Sequence, residues 1–354
     1  MCGGGSSRNK SVPAAEPAGE PFADLELESF FSPLENYRRV LLAVSGGPDS
    51  MALLLLAHRW RKARRAGPAL VAATVDHRLR PASKKEATDV AKFAKSLGID
   101  HHILVWTGRK PSKGLPEAAR DARYGLLFGL AGKIHADAIA TAHTLDDQAE
   151  TFLMRLAHGS GLSGLGGIRP KRVRDGIALL RPLLAVPKAR LIATLRKSKI
   201  RYANDTSNAD KRFLRPRLRD LRAGLAAEGL VPERLANVAR RLSRADEAIE
   251  AIVDEVRAGI AGGAWPTSGA LEFSAAAFFR VPDEIAIRLL GRAIDQTGNE
   301  GPAELGKLES LHSALKSARG TGETLRRTLA GAMIDFDAVA VTISRAPARA
   351  GKRQ

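Results

Sequence analysis

Two short strings carry side chains able to do chemistry. Residues 45–50 read Ser-Gly-Gly-Pro-Asp-Ser, and residues 143–151 read His-Thr-Leu-Asp-Asp-Gln-Ala-Glu-Thr. In the first, Gly46 and Gly47 permit positive φ and a close backbone approach, while Ser45 and Ser50 add hydroxyl donors. Between a strand and a helix, such a turn aims backbone N–H groups and the positive end of the helix dipole at one point, where a phosphate belongs. Asp49 repels a phosphate unless a divalent cation lies between them, so the string suits a magnesium-bound nucleotide. In the second string Asp146 and Glu150 are four apart on one helix face, where like charges destabilise each other. Magnesium or a substrate ammonium group would relieve them. Thr144 can cap that helix, and Asp146 and Asp147 complement its dipole. His143 falls at an exposed strand end facing the nucleotide. A rival phosphate loop at Gly301–Leu308 fails because Leu308 stands where a metal-binding hydroxyl is needed.

The elements that must hold these strings are legible as repetition. Apolar runs at 40–44, 70–75, 102–106 and 138–142 read as buried strands. Amphipathic helical patterns occupy 49–65, 84–97 and 116–132, and another follows at 145–158. This alternation predicts an α/β fold, a Rossmann-like parallel sheet with helices on both faces. Ligands then bind beyond the carboxyl ends of the strands, where Ser45–Ser50, Asp76, His77 and His143–Asp147 all fall. Gly159–Gly167 reads as a mobile glycine-rich loop. Basic helical patterns at 187–199 and 211–258 lead to helices at 275–295 and 303–318, then alternating strands over 324–343. The expected organisation is a disordered tail (1–22), a catalytic domain (23–222), and a helical linker with a smaller α+β carboxyl-terminal domain (223–354).

Composition narrows the partner. The chain has 354 residues, 44% hydrophobic, with a formal charge of +18 and a pI near 10.5. Fourteen Lys or Arg face five Asp or Glu between Arg196 and Ala245, a local +9. Such an excess favours a polyanion. Aromatics at 5% argue against a base-stacking platform, so a folded RNA gripped by its backbone fits better. Arg212, Arg215, Arg217 and Arg219 suit bidentate phosphate contacts, with Pro216 expected to break the helix. The turn cluster Asn204–Asn208 marks where that segment begins. Glu117, Arg120 and Tyr124 share a helix face. Cys2 is the single cysteine, which excludes internal disulfides and cysteine metal clusters. No apolar run is long enough to span a membrane, and a cytoplasmic location is the expectation.

Together these residues resemble a known family. The loop at Ser45–Ser50 looks like the pyrophosphate loop of the N-type ATP pyrophosphatases, which adenylate an oxygen and let a nucleophile displace AMP. Val75–Arg80, Glu117–Tyr124, Ala142–Thr151, His158–Leu165, Arg181–Leu184 and the arginine block are similar, in the right order, to tRNA(Ile)-lysidine synthetases. The resemblance runs over about 38–220. It departs at Lys211-Arg212, where the family commonly carries Arg-Asn, and in length, since there is room for one domain after residue 222. It implies ATP-dependent ligation of L-lysine to C2 of the wobble cytidine of the tRNA(Ile) with a CAU anticodon. The lysine ε-amine would displace AMP from an adenylated base. Ser45, Gly46, Gly47, Pro48, Asp49 and Ser50 would hold the ATP phosphates, with Asp76 and His77 along the adenosine. Asp49 and Asp146 would bind magnesium, and His143, Asp146, Asp147 and Glu150 would form the catalytic, lysine-selecting pocket. Arg120, Arg123, Arg155, Arg212, Arg215, Arg217 and Arg219 would contact the tRNA, and the family makes a homodimer plausible. A tRNA thiolase of the same superfamily needs cysteines that this chain lacks. An amidotransferase-type synthetase leaves the charge unexplained, and a non-catalytic RNA-binding protein leaves the carboxylates unexplained.

Overall fold

Val40, Leu41 and Leu42 are fully buried, on both faces of a sheet, which is why their segment is a continuous apolar run. The computed structural model describes residues 19–203, 214–260, 265 and 268–347. The chain divides into two compact units: residues up to Met154 with Gly167–Asn237, and Arg155–Gly166 with Val238 onward.

The first unit begins with α1 (Leu27–Phe31), β1 (Arg39–Ala43), α2 (Pro48–Lys62), β2 (Ala69–Asp76), α3 (Ser83–Ser96), β3 (Asp100–Val105), α4 (Leu115–Lys133), β4 (Ala138–Ala140) and α5 (Leu145–Ala157). The chain passes through α6 (Leu162–Leu165), which belongs to the second unit, and the first unit resumes with β5 (Lys171–Arg174), β6 (Ile177–Leu180), α7 (Lys188–Lys197), α8 (Leu214–Asp220) and α9 (Arg222–Ala227). The strands order as β3-β2-β1-β4-β6-β5, parallel except for β5. Side chains alternate between the faces. Val40, Leu42, Ala72 and Leu180 pack on one side with α2 and α7, and Leu41, Val71, Ile139 and Leu179 pack on the other with α4. The strand order reverses between β1 and β4, which pair directly, Leu42 opposite Ala140. The loop after β1 and the loop after β4 therefore open into the same crevice.

The second unit contains α10 (Pro232–Ile260) from Val238 onward, β7 (Leu271–Ser274), α11 (Ala275–Phe278), α12 (Asp283–Thr297), α13 (Leu305–Thr321), β8 (Leu325–Leu329), β9 (Ala332–Phe336) and β10 (Ala340–Arg345). Its strands form an antiparallel sheet, β7-β10-β9-β8, over a core that includes Leu290, Leu315, Ile334 and Val341.

Several expectations are corrected. Phe22, placed in the tail, is 3% exposed and its N–H donates to Thr194 Oγ1 at 3.0 Å. The apolar run at 102–106 is an edge strand, β3, with Ile103 45% exposed; an apolar run does not reveal whether a strand has two neighbours or one. The β5–β6 hairpin was not read because β5 is Lys-Arg-Val-Arg. Its signal is Asp175-Gly176, both at positive φ, the pair a tight hairpin turn prefers. The glycine-rich stretch holds the short helix α6, and Arg155 Nη1 donates to the Gly164 carbonyl at 2.5 Å. From residue 214 on, the described part of the basic segment 211–258 forms three helices, with Gly229 at φ +78° ahead of α10. Pro216 lies inside the first turn of α8 and does not break it, because a first-turn N–H needs no helical partner. The helix expected at 275–295 is α11 and α12, with Pro282 capping α12. Asn204–Asn208, Lys211, Arg212 and Cys2 lie outside the described residues.

Candidate active site

The loop after β1 is drawn tight by its own serines. Ser45 N–H donates to Ser50 Oγ at 3.1 Å, and Ser50 Oγ donates to the Gly47 carbonyl at 3.0 Å. Gly46 sits at φ +89° and its carbonyl accepts Ala203 N–H at 2.9 Å. Gly47, expected to share that freedom, is the N-cap of α2 at φ −73°, an ordinary value. Pro48 follows at the start of α2 and Asp49 lies in its first turn, where helical N–H groups lack internal partners.

The facing wall is α5. Thr144 N–H and Oγ1–H each donate to Asp147 Oδ2 at 2.9 Å, and Asp147 N–H returns to Thr144 Oγ1 at 3.3 Å. This reciprocal cap spends one Asp147 oxygen on the helix and leaves Oδ1 for Arg215 Nη2 at 2.8 Å. Asp146 is 7% exposed. Its Oδ2 accepts Lys188 N–H at 2.8 Å, capping α7, and its Oδ1 accepts from Arg222. Glu150 accepts Arg215 Nε and Arg219 Nε, both at 2.6 Å. Arg215 and Arg219, four apart, share a face of α8, and with Arg222 at the start of α9 they lie on the acidic face of α5.

Asp49 connects the halves. Its Oδ2 accepts from Lys188 Nζ at 3.2 Å, while its Oδ1 is buried without a hydrogen-bond partner. Burial pushes the Asp49 carboxyl up to about 6, against the pull of the Lys188 ammonium, and Asp147 and Asp146 push it further up. No group of three or more His, Cys, Asp or Glu among the described residues could hold a metal alone. Magnesium usually takes one or two carboxylates beside nucleotide phosphates. Asp49, with its unused buried oxygen, fits that role; both Asp146 oxygens are engaged.

His143 bonds Thr141 Oγ1 through Nδ1 at 2.9 Å. That hydroxyl donates to the Leu180 carbonyl at 3.4 Å, so it accepts from Nδ1–H and leaves Nε2 its lone pair. Burial pushes the imidazole down to about 4, offset by Asp147 and reinforced by Arg181, Arg120 and Arg215. His143 is neutral near pH 7.

Of the other expected residues, Asp76 is buried and ties its own turn, Oδ1 accepting Arg78 N–H at 2.8 Å. Burial raises its carboxyl, but the Ser83 hydroxyl and Arg78 N–H together hold it below the usual range. His77 stands edge-on to Trp106 with a buried, partnerless Nδ1. Exposed Arg120 lies over the Tyr124 ring, 5.2 Å from its centroid, and Arg123 is exposed. Arg217 faces solvent, on the opposite side of α8 from the acidic cluster. The arginines expected on RNA thus divide: Arg215 and Arg219 turn inward to carboxylates, and Arg217 stays outside. Sequence reasoning missed Lys188, Arg222 and Gln148. Gln148 pins Ile168, accepting its N–H at 2.6 Å and donating to its carbonyl at 3.3 Å. For Lys188 there was a signal: a basic residue just after the Arg181–Leu184 string and Pro187, opening a helix.

Next to the cluster lies a narrow, partly open hollow. Asp146, Glu150, Arg219 and Arg222 are its polar wall, and Leu153, Leu218, Leu225 and Leu235 are among its apolar ones.

Residues 21–222 match the model of the PP-loop domain. Over 343 residues the chain is 49% identical to a tRNA(Ile)-lysidine synthase of Bradyrhizobium sp. strain BTAi1, spanning 93% of this chain and 96% of the relative. The chain belongs to the tRNA(Ile)-lysidine synthase family. A second synthase of that name, from Rhodopseudomonas palustris, is 47% identical over 94% of this chain and 98% of its own length. The U34-tRNA thiolase NcsA of Methanococcus maripaludis, solved with its [4Fe-4S] cluster, superposes with a TM-score of 0.53 over 62% of this chain and 77% of its own. At 19% identity it shares the fold alone. The thiolase alternative falls with that, since full-length lysidine synthase relatives match at more than twice the identity. Among the described residues no helix is long and apolar enough to cross a membrane.

Proposed function

We propose that this chain forms lysidine in tRNA(Ile), joining L-lysine to C2 of the wobble cytidine of a CAU anticodon at the expense of ATP. It is an ATP-using ligase of the lysidine synthase family. The observation that carries the substrate assignment is the occupancy of the acidic face of α5: Asp146, Asp147 and Glu150 each hold a guanidinium group. A site that gathers three cations selects a substrate by its ammonium groups. The adjoining hollow sets leucines beside that acidic face, which suits the aliphatic stem of a lysine side chain.

The Ser45–Ser50 turn and the first turn of α2 hold the triphosphate. Asp49 is the residue for magnesium, which when bound neutralises the phosphate oxygens. The cytidine O2 attacks the α-phosphorus, and pyrophosphate leaves with the electron pair of the broken P–O bond. The lysine ε-amine then attacks C2, and AMP departs carrying O2. One proton must leave the amine, and neutral His143, with its Nε2 lone pair, is positioned by Thr141 to take it. Exposed Arg217, Arg120 and Arg123 suit the tRNA backbone, and extruding an anticodon base costs a few kcal/mol, least in a loop. Such substrates place the enzyme in the cytoplasm.

The test is one incubation with ATP, magnesium, labelled lysine and a CAU-anticodon tRNA(Ile) transcript. Label should enter that RNA and not an elongator methionine tRNA. Folded protein that transfers no label overturns the reading.

A further inference from the structure

One residue touches both halves of the site. Lys188 opens α7: its N–H is bound to Asp146 of the acidic cluster, and its Nζ is bound to Asp49 of the phosphate turn. Its helix is anchored, since Leu191 and Leu195 are fully buried against the same core as α2. The side chain is 30% exposed and carries its charge on a flexible four-carbon stem. The ammonium can move while its Cα cannot.

The place where that ammonium rests is unusual for a cation. It lies at the amino-terminal turn of α2, whose dipole favours negative charge. Asp49 is the acceptor that Nζ has among the described residues, and the other oxygen of Asp49 is buried with no partner. Two contacts are therefore called for at this point, a cation or donor for Asp49 Oδ1 and an anion for Lys188 Nζ.

Given that the Ser45–Ser50 turn holds ATP, we infer that Lys188 is a further catalytic residue, one that leaves Asp49 for the polyphosphate. There it neutralises the departing pyrophosphate. In that step the O2–Pα bond forms, the bond between Pα and its bridging oxygen breaks, and the electron pair leaves on an oxygen of the β-phosphate. The charge grows as that bond breaks, so the contact is worth more in the transition state than in bound ATP. Asp49, released from Lys188, would then be free to hold a cation.

The test uses the full chain with Lys188→Met and Lys188→Arg. Pyrophosphate release is followed in a single turnover with magnesium, ATP and tRNA(Ile) but no lysine, beside ATP affinity by equilibrium dialysis and unfolding temperature. Lys188→Met should slow release about 100-fold. ATP affinity should weaken less than tenfold, and the lysine KM should not move. Lys188→Arg should recover most of the rate. A Lys188→Met enzyme that is less stable but releases pyrophosphate normally per folded molecule makes Lys188 a structural pin and overturns the inference. A raised lysine KM with normal release, or an arginine variant no faster than the methionine one, overturns it too. Wild-type protein that releases no pyrophosphate sinks the parent reading instead.

Discussion

His101 shows how a side chain away from the chemistry can support the phosphate turn. Thr74 Oγ1 donates to the Val44 carbonyl at 2.7 Å, just before Ser45, so it accepts from His101 Nε2–H at 2.8 Å. Nδ1 is then unprotonated, and it is buried without a partner. Burial pushes the imidazole down to about 4, with His102 acting in the same direction. Because the folded value lies below the ordinary 6.5, protonation favours the unfolded chain. This stability is complete above pH 6.5 and is lost as pH falls towards 4. Between pH 7 and 5 the loss is about 2 kcal/mol from this group. Urea unfolding at the two pH values should show it, and His101→Gln, which keeps the donor to Thr74, should reduce it; an undiminished pH dependence refutes the assignment. The residue types at Ser45–Ser50 and His143–Glu150 were legible because the chemistry needs them in a fixed local order. Lys188 and Arg222 were not, because their partners are 139 and 76 residues away.

At the scale of elements, α10 and α12 are joined by an ion-pair ladder within the second unit. Arg288 meets Asp246 at 2.7 Å and Glu250 at 2.5 Å, and Arg292 meets Asp254 at 2.6 Å and Glu250. Asp246 is 1% exposed. Arg288→Met takes the guanidinium away from that buried carboxylate, at a cost of about 3 kcal/mol. Pairing it with Asp246→Leu should restore most of the loss. A double-mutant cycle on the full chain, read by urea unfolding, should find that coupling; additive losses refute it. Strands 39–43, 69–76 and 138–140 and their helices were readable to within a few residues because apolar periodicity records which faces are buried. The β5–β6 hairpin was obscured because three of the four residues of β5 are basic, and the division of 211–258 because its basic helical pattern runs on through the breaks between helices.

Over the whole molecule the charge of +18 acts as a field for RNA. Affinity for tRNA(Ile) should fall by at least about tenfold between 50 and 200 mM salt. Arg217→Ala should weaken binding and reduce the salt slope by about 1. Arg215→Ala should instead change lysine use, because its guanidinium lies on Asp147 and Glu150. Gel-shift titrations over a salt series separate the two. Equal slopes for the Arg217 variant and the wild type would refute the division of the arginines.

The sequence alone determined the chemistry available: a phosphate turn, an acidic helix start, a basic chain with one cysteine, and a β-α alternation that places active residues at strand ends. These are local patterns, and local backbone geometry enforces them. Only the tertiary structure decided which charges meet. The reversal of strand order beside β1 brings Asp49 to the α5 carboxylates, and α7 threads Lys188 between them. The turn of α8 decides which arginines face the acid and which face solvent. Such pairings depend on the three-dimensional path of the chain, and no spacing along it encodes them.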